Sequence, residues 1–161
     1  MSGEVSFKLT DNSGAIARAF ENCEGEFLEA LGIQGSDNVR RAITAKGAVD
    51  TGLMRNSVTF AVSGQPADAA SYRGERRSKY RPAAPIPEGT PYSGTAPAAA
   101  SGHKAVYIGS NLDYFMYQNN GYHRPDGTFV PGIHALEDGM TQLQGQAERI
   151  ARKVFDSVTG G

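Results

Sequence analysis

The 161 residues suffice for one domain and leave no room for two of ordinary size. Sixteen Lys and Arg against seventeen Asp and Glu give a formal charge of -1, which excludes a strong whole-chain field for nucleic acid or an anionic membrane. A single cysteine, Cys23, excludes an internal disulfide framework and a Cys-cluster zinc site, and no apolar run reaches the length of a membrane span.

The start, Met1-Ser2-Gly3-Glu4, lacks the basic-then-apolar form of a signal peptide. Val5, Phe7 and Leu9 then alternate with polar residues, the pattern of a short strand. Asp11, Asn12 and Ser13 offer capping oxygens. After them Ile16, Phe20, Cys23, Phe27 and Leu31 recur at steps of three and four, one face of a helix on which Cys23 is a buried small hydrophobe. Gly32 and Gly35 interrupt it. Ser36 or Asp37 caps a second helix carrying Val39, Ala42 and Ile43, which ends near Gly47. Asp50-Thr51-Gly52 is a tight helix-to-strand turn, with Asp50 capping and Gly52 supplying a backbone conformation that other residues resist. Val58, Phe60 and Val62 alternate as a strand.

Composition changes after that strand. Leu, Ile, Val and Phe number thirty in the chain, about 19 %, a low share for a globular domain. From Gly64 to His103 the only one of them is Ile86, while six of the eight prolines fall there. Proline removes backbone donors, glycine raises the entropic cost of order, and nothing apolar offsets it. Residues 64–103 are therefore expected to form an inserted arm, disordered alone or ordered only against a partner. Fully extended it would reach roughly 130 Å. Its segment Tyr72 to Arg81 carries Arg73, Arg76, Arg77, Lys79 and Arg81 against one acid, Glu75, with Tyr72 and Tyr80 near the ends. A basic arm with aromatics suits phosphate contact and base stacking, and suits an acidic protein surface equally well.

Beyond the arm, Ala105 to Ile108 favours a strand, and Tyr107, Tyr114, Phe115, Tyr117 and Tyr122 form an aromatic cluster. Pro125-Asp126-Gly127 should close a hairpin or tight loop. Ile133, Leu136, Met140, Leu143, Ala147, Ile150 and Val154 follow at alternating steps of three and four, a seam with a 3.5 repeat along a terminal helix that stops at Thr159-Gly160-Gly161. That seam lies on the protein's own sheet or in part meets a neighbouring subunit. The sum is a single α+β domain over 1–161: N-terminal helices, a small antiparallel sheet and a long C-terminal helix, with the arm inserted between the central strands.

Two resemblances bear on function. Asp50-Thr51-Gly52 is similar to the active-site triplet of aspartic proteases, in which two carboxylates share a proton. A retroviral-type enzyme would supply one Asp50 from each of two subunits, with Tyr107-Ile108-Gly109 as the later apolar segment beneath the active-site loop. The surroundings differ from that pattern, because a helix end and not an apolar strand precedes the triplet and Leu53-Met54-Arg55 follows it. His103, His123 and His134 have no metal-ligand spacing, and no phosphate-cradling or nucleophile motif occurs. No cofactor or metal is expected.

The second resemblance covers more of the chain. Ala48-Val49-Asp50-Thr51-Gly52-Leu53-Met54-Arg55-Asn56-Ser57-Val58 after a helix resembles the "proline-Val-Asp-Thr-Gly-x-Leu-Arg-x-Ser-Ile" segment of neck, head–tail joining and tail-completion proteins of long-tailed phages. Val106 to Asn111 followed by Tyr114, Tyr117 and Gly121 resembles that family's strand and tyrosine stretch, with Asn119 where Glu is common. Phe129-Val130-Pro131-Gly132 resembles its approach to the last helix. The resemblance implies a non-enzymatic virion protein in the tail or neck, assembled in the host cytoplasm. It would form a ring, six subunits favoured and twelve the alternative, that touches the head connector, the tail terminator or tube, and packaged DNA, but no membrane. Asp50, Thr51, Gly52, Arg55 and Ser57 would then be architectural, and Arg73, Arg76, Arg77, Lys79, Tyr80 and Arg81 the partner-contact arm.

Overall fold

A computed structural model describes residues 13–67, 71–99 and 102–160. The expected strand around Phe7 lies outside them. Helix α1 runs over Ser13–Ala45 as one element of 33 residues, not as two helices broken at Gly32 and Gly35. The glycines serve tertiary packing instead. A Cβ at Gly32 would stand 2.1 Å from the Phe60 ring, and one at Gly35 would stand 2.2 Å from Ile108 Cδ1. Their missing side chains let a strand pair lie against the helix, and that burial offsets their poor helix propensity. Ser36 is no cap, because its hydroxyl donates to the Gly32 carbonyl at 2.8 Å within the helix. Asp37 is no cap either; it pairs with Arg40 at 3.0 Å.

Gly47, at φ 68, ends α1, and the chain turns through Asp50 into the single helical turn α2, Leu53–Asn56. Strand β1, Thr59–Val62, pairs antiparallel with β2, Val106–Gly109, placing Phe60 opposite Ile108. A short helix α3, Phe115–Asn120, occupies the stretch read as an aromatic cluster. Only Phe115 of that cluster is fully buried, while Tyr107, Tyr114 and Tyr117 face outward. Strands β3, Gly121–His123, and β4, Phe129–Pro131, form a hairpin. Its loop closes through Gly127 N–H to the Arg124 carbonyl and Thr128 N–H to Asp126 Oδ1. Helix α4, Ala135–Thr159, ends the described chain and is capped by Gly160 at φ 69. The architecture is α+β, with two two-stranded antiparallel sheets and a long C-terminal helix. No helix among the described residues is long and apolar enough to cross a membrane.

The α4 seam packs chiefly on α1, a helix, and not on a sheet. The two run antiparallel: Val39 meets Gly139, Gly35 meets Leu143, and Phe27 lies near Ala151. Asn38, fully buried, ties them by donating to Gln146 Oε1 at 3.0 Å. A second core gathers Val39, Ile43, Met54, Val58, Phe115 and Ala135, so α1, α2, α3 and the start of α4 meet beneath the Asp50 turn. Phe20, expected on the core face, is 67 % exposed, and Cys23 beside it is only half-buried.

The arm also departs from expectation. Its described residues form no helix or strand but fold back on the body. The bridges Pro66↔Thr95 and Arg73↔Glu88 share one antiparallel register, seven residues outward on one limb matching seven inward on the other. Gly64 N–H to the Pro97 carbonyl belongs to the same ladder. The arm is thus a long irregular hairpin emerging between β1 and β2. Backbone and side-chain hydrogen bonds supply the order that apolar burial could not.

Candidate functional site: the Asp50 turn and the arm tip

The turn is built from residues whose side chains point back into the chain. Gly52 at φ 86 opens α2, a conformation that side-chain-bearing residues resist. Thr51, not Asp50, assists this helix start, its Oγ1 accepting from Leu53 N–H at 3.2 Å. Ser57, fully buried, donates to the Met54 carbonyl at 2.8 Å and meets Ser110 Oγ at 2.6 Å, which fixes the turn to the end of β2. Arg55 reaches Thr44 Oγ1 at the end of α1 and pairs with Glu75 of the arm.

The arm tip seats on this turn by a second group of bonds. Ser78 Oγ donates to Asp50 Oδ2 at 2.5 Å and Lys79 N–H to Asp50 Oδ1 at 3.0 Å. Arg76 spans the turn from outside, its Nε donating to the Asp50 carbonyl at 2.7 Å and its Nη2 to that of Val49 at 3.0 Å. Glu75 N–H donates to the Thr51 carbonyl at 2.7 Å, and Asn56 Nδ2 to the Arg73 carbonyl at 3.0 Å. The Ser78 hydroxyl, then the Lys79 amide, hold the Asp50 carboxyl below its ordinary value. Arg55, then Asn56, do the same for Glu75. At neutral pH both are anions inside charge-assisted hydrogen bonds.

Two tyrosines fasten the limbs further back. Tyr92 OH donates to the Ser57 carbonyl and accepts from Asn111 N–H at 2.9 Å, and burial raises its pKa. Tyr72 OH donates to Asn111 Oδ1 at 2.5 Å, with its ring centroid 6.1 Å from that of Tyr92. Glu75 and Tyr92 belong to no recognisable motif. The one signal for Glu75 was its isolation, a lone acid among five cations.

Between the turn, the tip and α3 lies an open cleft of about 540 Å3, lined by Asp50, Leu53, Lys79, Tyr80, Tyr114 and Gln118 among others. Among the described residues Asp50 is the only carboxylate that lines it. Arg77, Lys79, Tyr80 and Arg81 stand outward from the tip, with Lys79 Nζ 4.9 Å from the Tyr80 ring centroid. Among the described residues no three His, Cys, Asp or Glu side chains gather as they would around a metal ion. Ile108, the centre of the Tyr107-Ile108-Gly109 segment, packs on Gly35 and Leu143 at the helix pair.

The Asp50 anchor has a measurable consequence. Replacing Asp50 by Ala removes both acceptors of Ser78 and Lys79, and trypsin cleavage at Arg76, Arg77 and Lys79 should quicken by about tenfold. The far-ultraviolet circular dichroism should not change. Because the folded pKa is depressed, the anchor is complete above the ordinary carboxylate range and weakens as pH falls through the lowered value. Amide exchange at Lys79, corrected for its intrinsic rate, should lose protection in that acid range and nowhere above it.

Comparison of the chain with family profiles, curated proteins and solved structures finds no match in any of the three.

Proposed function

We propose that the protein is a virion structural protein, a ring subunit at the head–tail junction of a long-tailed phage that joins the head connector to the tail. The observation that carries this reading is the employment of the Asp50–Ser57 segment. Asp50, Arg55, Asn56 and Ser57 make side-chain hydrogen bonds to the arm, α1 or the end of β2, and Thr51 makes one to the first residue of α2. A segment so engaged is a joint, which is the part the phage-family resemblance gives it. The remaining resemblances fall on a second joint. Tyr114 to Gly121 spans α3, and Phe129 to Gly132 delivers the chain to α4. Asn119 and Gly132 interlock there so closely that a Cβ at Gly132 would stand 2.1 Å from the Asn119 carbonyl oxygen.

The same employment counts against the protease reading. A proton-sharing pair needs one carboxyl protonated and facing another carboxylate. Asp50 instead follows a helix, is held as an anion, and directs both oxygens at Ser78 and Lys79.

Projection images of the purified protein test the proposal. Closed rings of six are expected, with rings of twelve placing the subunit on the connector side. In the producing phage, disrupting the gene should leave filled heads and finished tails unjoined. Joined, infectious particles without the protein would overturn the proposal.

A further inference from the structure

We infer that the arm tip of one copy docks in the apolar groove at the open end of the α1–α4 pair of a second copy. This rests on the ring reading and names the contact that would build the ring. Phe20, Cys23, Phe27, Ala151 and Phe155 line the groove, about 500 Å3, and Phe20 and Phe155 remain 67 % and 53 % exposed. Two exposed phenylalanines sharing one trough on an otherwise packed helix pair mark a contact surface.

Its charges select the occupant. Glu24 in the wall is neutralised by Lys104 at 2.8 Å, and Arg152 by Glu148 at 2.6 Å, while Asp156 makes no ion pair among the described residues. On α1, Glu21 follows Phe20 and Glu26 precedes Phe27. At about 100° per residue they stand on opposite flanks of the apolar strip. Both are exposed, and neither makes an ion pair among the described residues. Lys153 of α4 lies about 180° around the helix from the Ala151–Phe155 line and faces away, whereas Arg149, seven residues before Asp156, stands on the same flank as Asp156 two turns earlier. The groove is thus an apolar trough whose border carries three carboxylates that make no ion pair among the described residues, Asp156, Glu21 and Glu26, and one cation, Arg149.

The arm tip is its complement. Arg77, Lys79 and Arg81 are exposed and make no ion pair among the described residues, and Tyr80 is 76 % exposed between two of them. A tyrosine offers an apolar ring to the trough and a hydroxyl donor to a carboxylate at its edge. The tip cannot reach the groove of its own chain. The tip is tied to Asp50 beyond the C-terminal end of α1, whereas Phe20 lies 25 residues before Ala45. That is about 38 Å along the helix axis. Complementary surfaces at opposite ends of one body make a head-to-tail contact, which closes into a ring when its rotation permits.

Charge reversal in two separate chains tests this. One variant carries Arg77→Glu with Arg81→Glu; the other carries Glu21→Lys with Glu26→Lys. Each alone should sediment as a monomer, its self-association weakened at least about hundredfold by like charges brought together. An equimolar mixture should recover the size of the unmodified assembly, because each reversed tip then meets a reversed groove. Tyr80→Ala should weaken association about thirtyfold, the loss typical of a buried aromatic anchor. Thermal melts of all variants in the dilute monomeric state should coincide with the parent. Rings that persist in every variant would overturn this contact and leave the ring reading standing. Folded variants whose mixture stays monomeric would overturn it too. So would a tip whose reversal abolishes salt-sensitive binding to a 20-base-pair DNA duplex while association is unchanged. An unmodified protein that never associates would remove both the contact and the ring.

Discussion

Replacing Gly139 by Ala should lower the unfolding free energy by about 2 kcal/mol, although alanine is the better helix former. Gly139 is buried in α4 where that helix crosses Val39 of α1. A Cβ there would stand 2.6 Å from Val39 Cγ2, 2.9 Å from Val39 N and 3.0 Å from Val39 Cα. The methyl of Val39 could rotate away, but its backbone sits inside a 33-residue helix, six residues before its end, and cannot. The two helices must therefore separate along their whole contact, and close-packed interiors transmit such a shift to every layer beside it. The carbonyl of Gly139 also takes a long bond from Asn38 Nδ2, which the separation would lengthen further.

An internal control isolates the cause. Gly145 lies six residues along the same helix, exposed, with nothing within 4 Å of a Cβ built on it. Gly145→Ala should therefore raise stability by about 1 kcal/mol through helix propensity alone. Urea unfolding of the two variants should move the midpoint in opposite directions with the slope unchanged. Equal stabilisation in both would mean that α1 and α4 do not cross at Gly139.

How much of this was legible depended on whether the responsible interaction was local. The α4 seam was readable because a 3.5 repeat from Ile133 to Val154 needs only the residues themselves. The break assigned at Gly32 and Gly35 was wrong for the opposite reason. Glycine is a local signal for a helix end, and what overrides it comes from Phe60 and Ile108, more than 25 residues away. Helix α3 could not be seen, since Phe115 to Asn120 has no periodic face and ends in two asparagines. Tertiary bonds from Ile133 N–H and His134 N–H to the Gln118 and Asn119 carbonyls hold its end. At the candidate site the turn itself was legible in Asp50-Thr51-Gly52, but its fastening was not. The fastening runs to Glu75, Arg76 and Ser78 through polar bonds, and a composition poor in apolar residues says nothing about those.

Asn119→Ala should cost about 3 kcal/mol, because one buried amide serves three partners. Asn119 is 2 % exposed. Helix α4 begins at His134, which sits at φ 50 and offers no side-chain cap. Asn119 performs that task from α3: its Oδ1 accepts from Leu136 N–H at 3.0 Å, while its Nδ2 donates to Glu137 Oε2 at 3.0 Å and to Asn120 Oδ1 at 2.8 Å. Truncation leaves a first-turn N–H and two acceptors without their partner at the start of a 25-residue helix.

Asn119→Asp is the sharper probe, because it keeps the shape and the acceptor while turning the donor into a second carboxylate oxygen facing Glu137. In the parent, the Asn119 amide is the largest cause holding the Glu137 carboxyl below its ordinary 4.5. A depressed folded pKa contributes stability at neutral pH that is lost only as pH falls below the ordinary value, so the parent should be flat between about pH 7 and 5.5. In Asn119→Asp the paired carboxylates raise a folded pKa instead, and a raised value contributes stability that grows as pH falls. Urea midpoints of the variant should therefore climb over that interval while those of the parent stay level. A variant midpoint that does not change with pH would show that residue 119 does not face Glu137 and that α4 is capped in some other way.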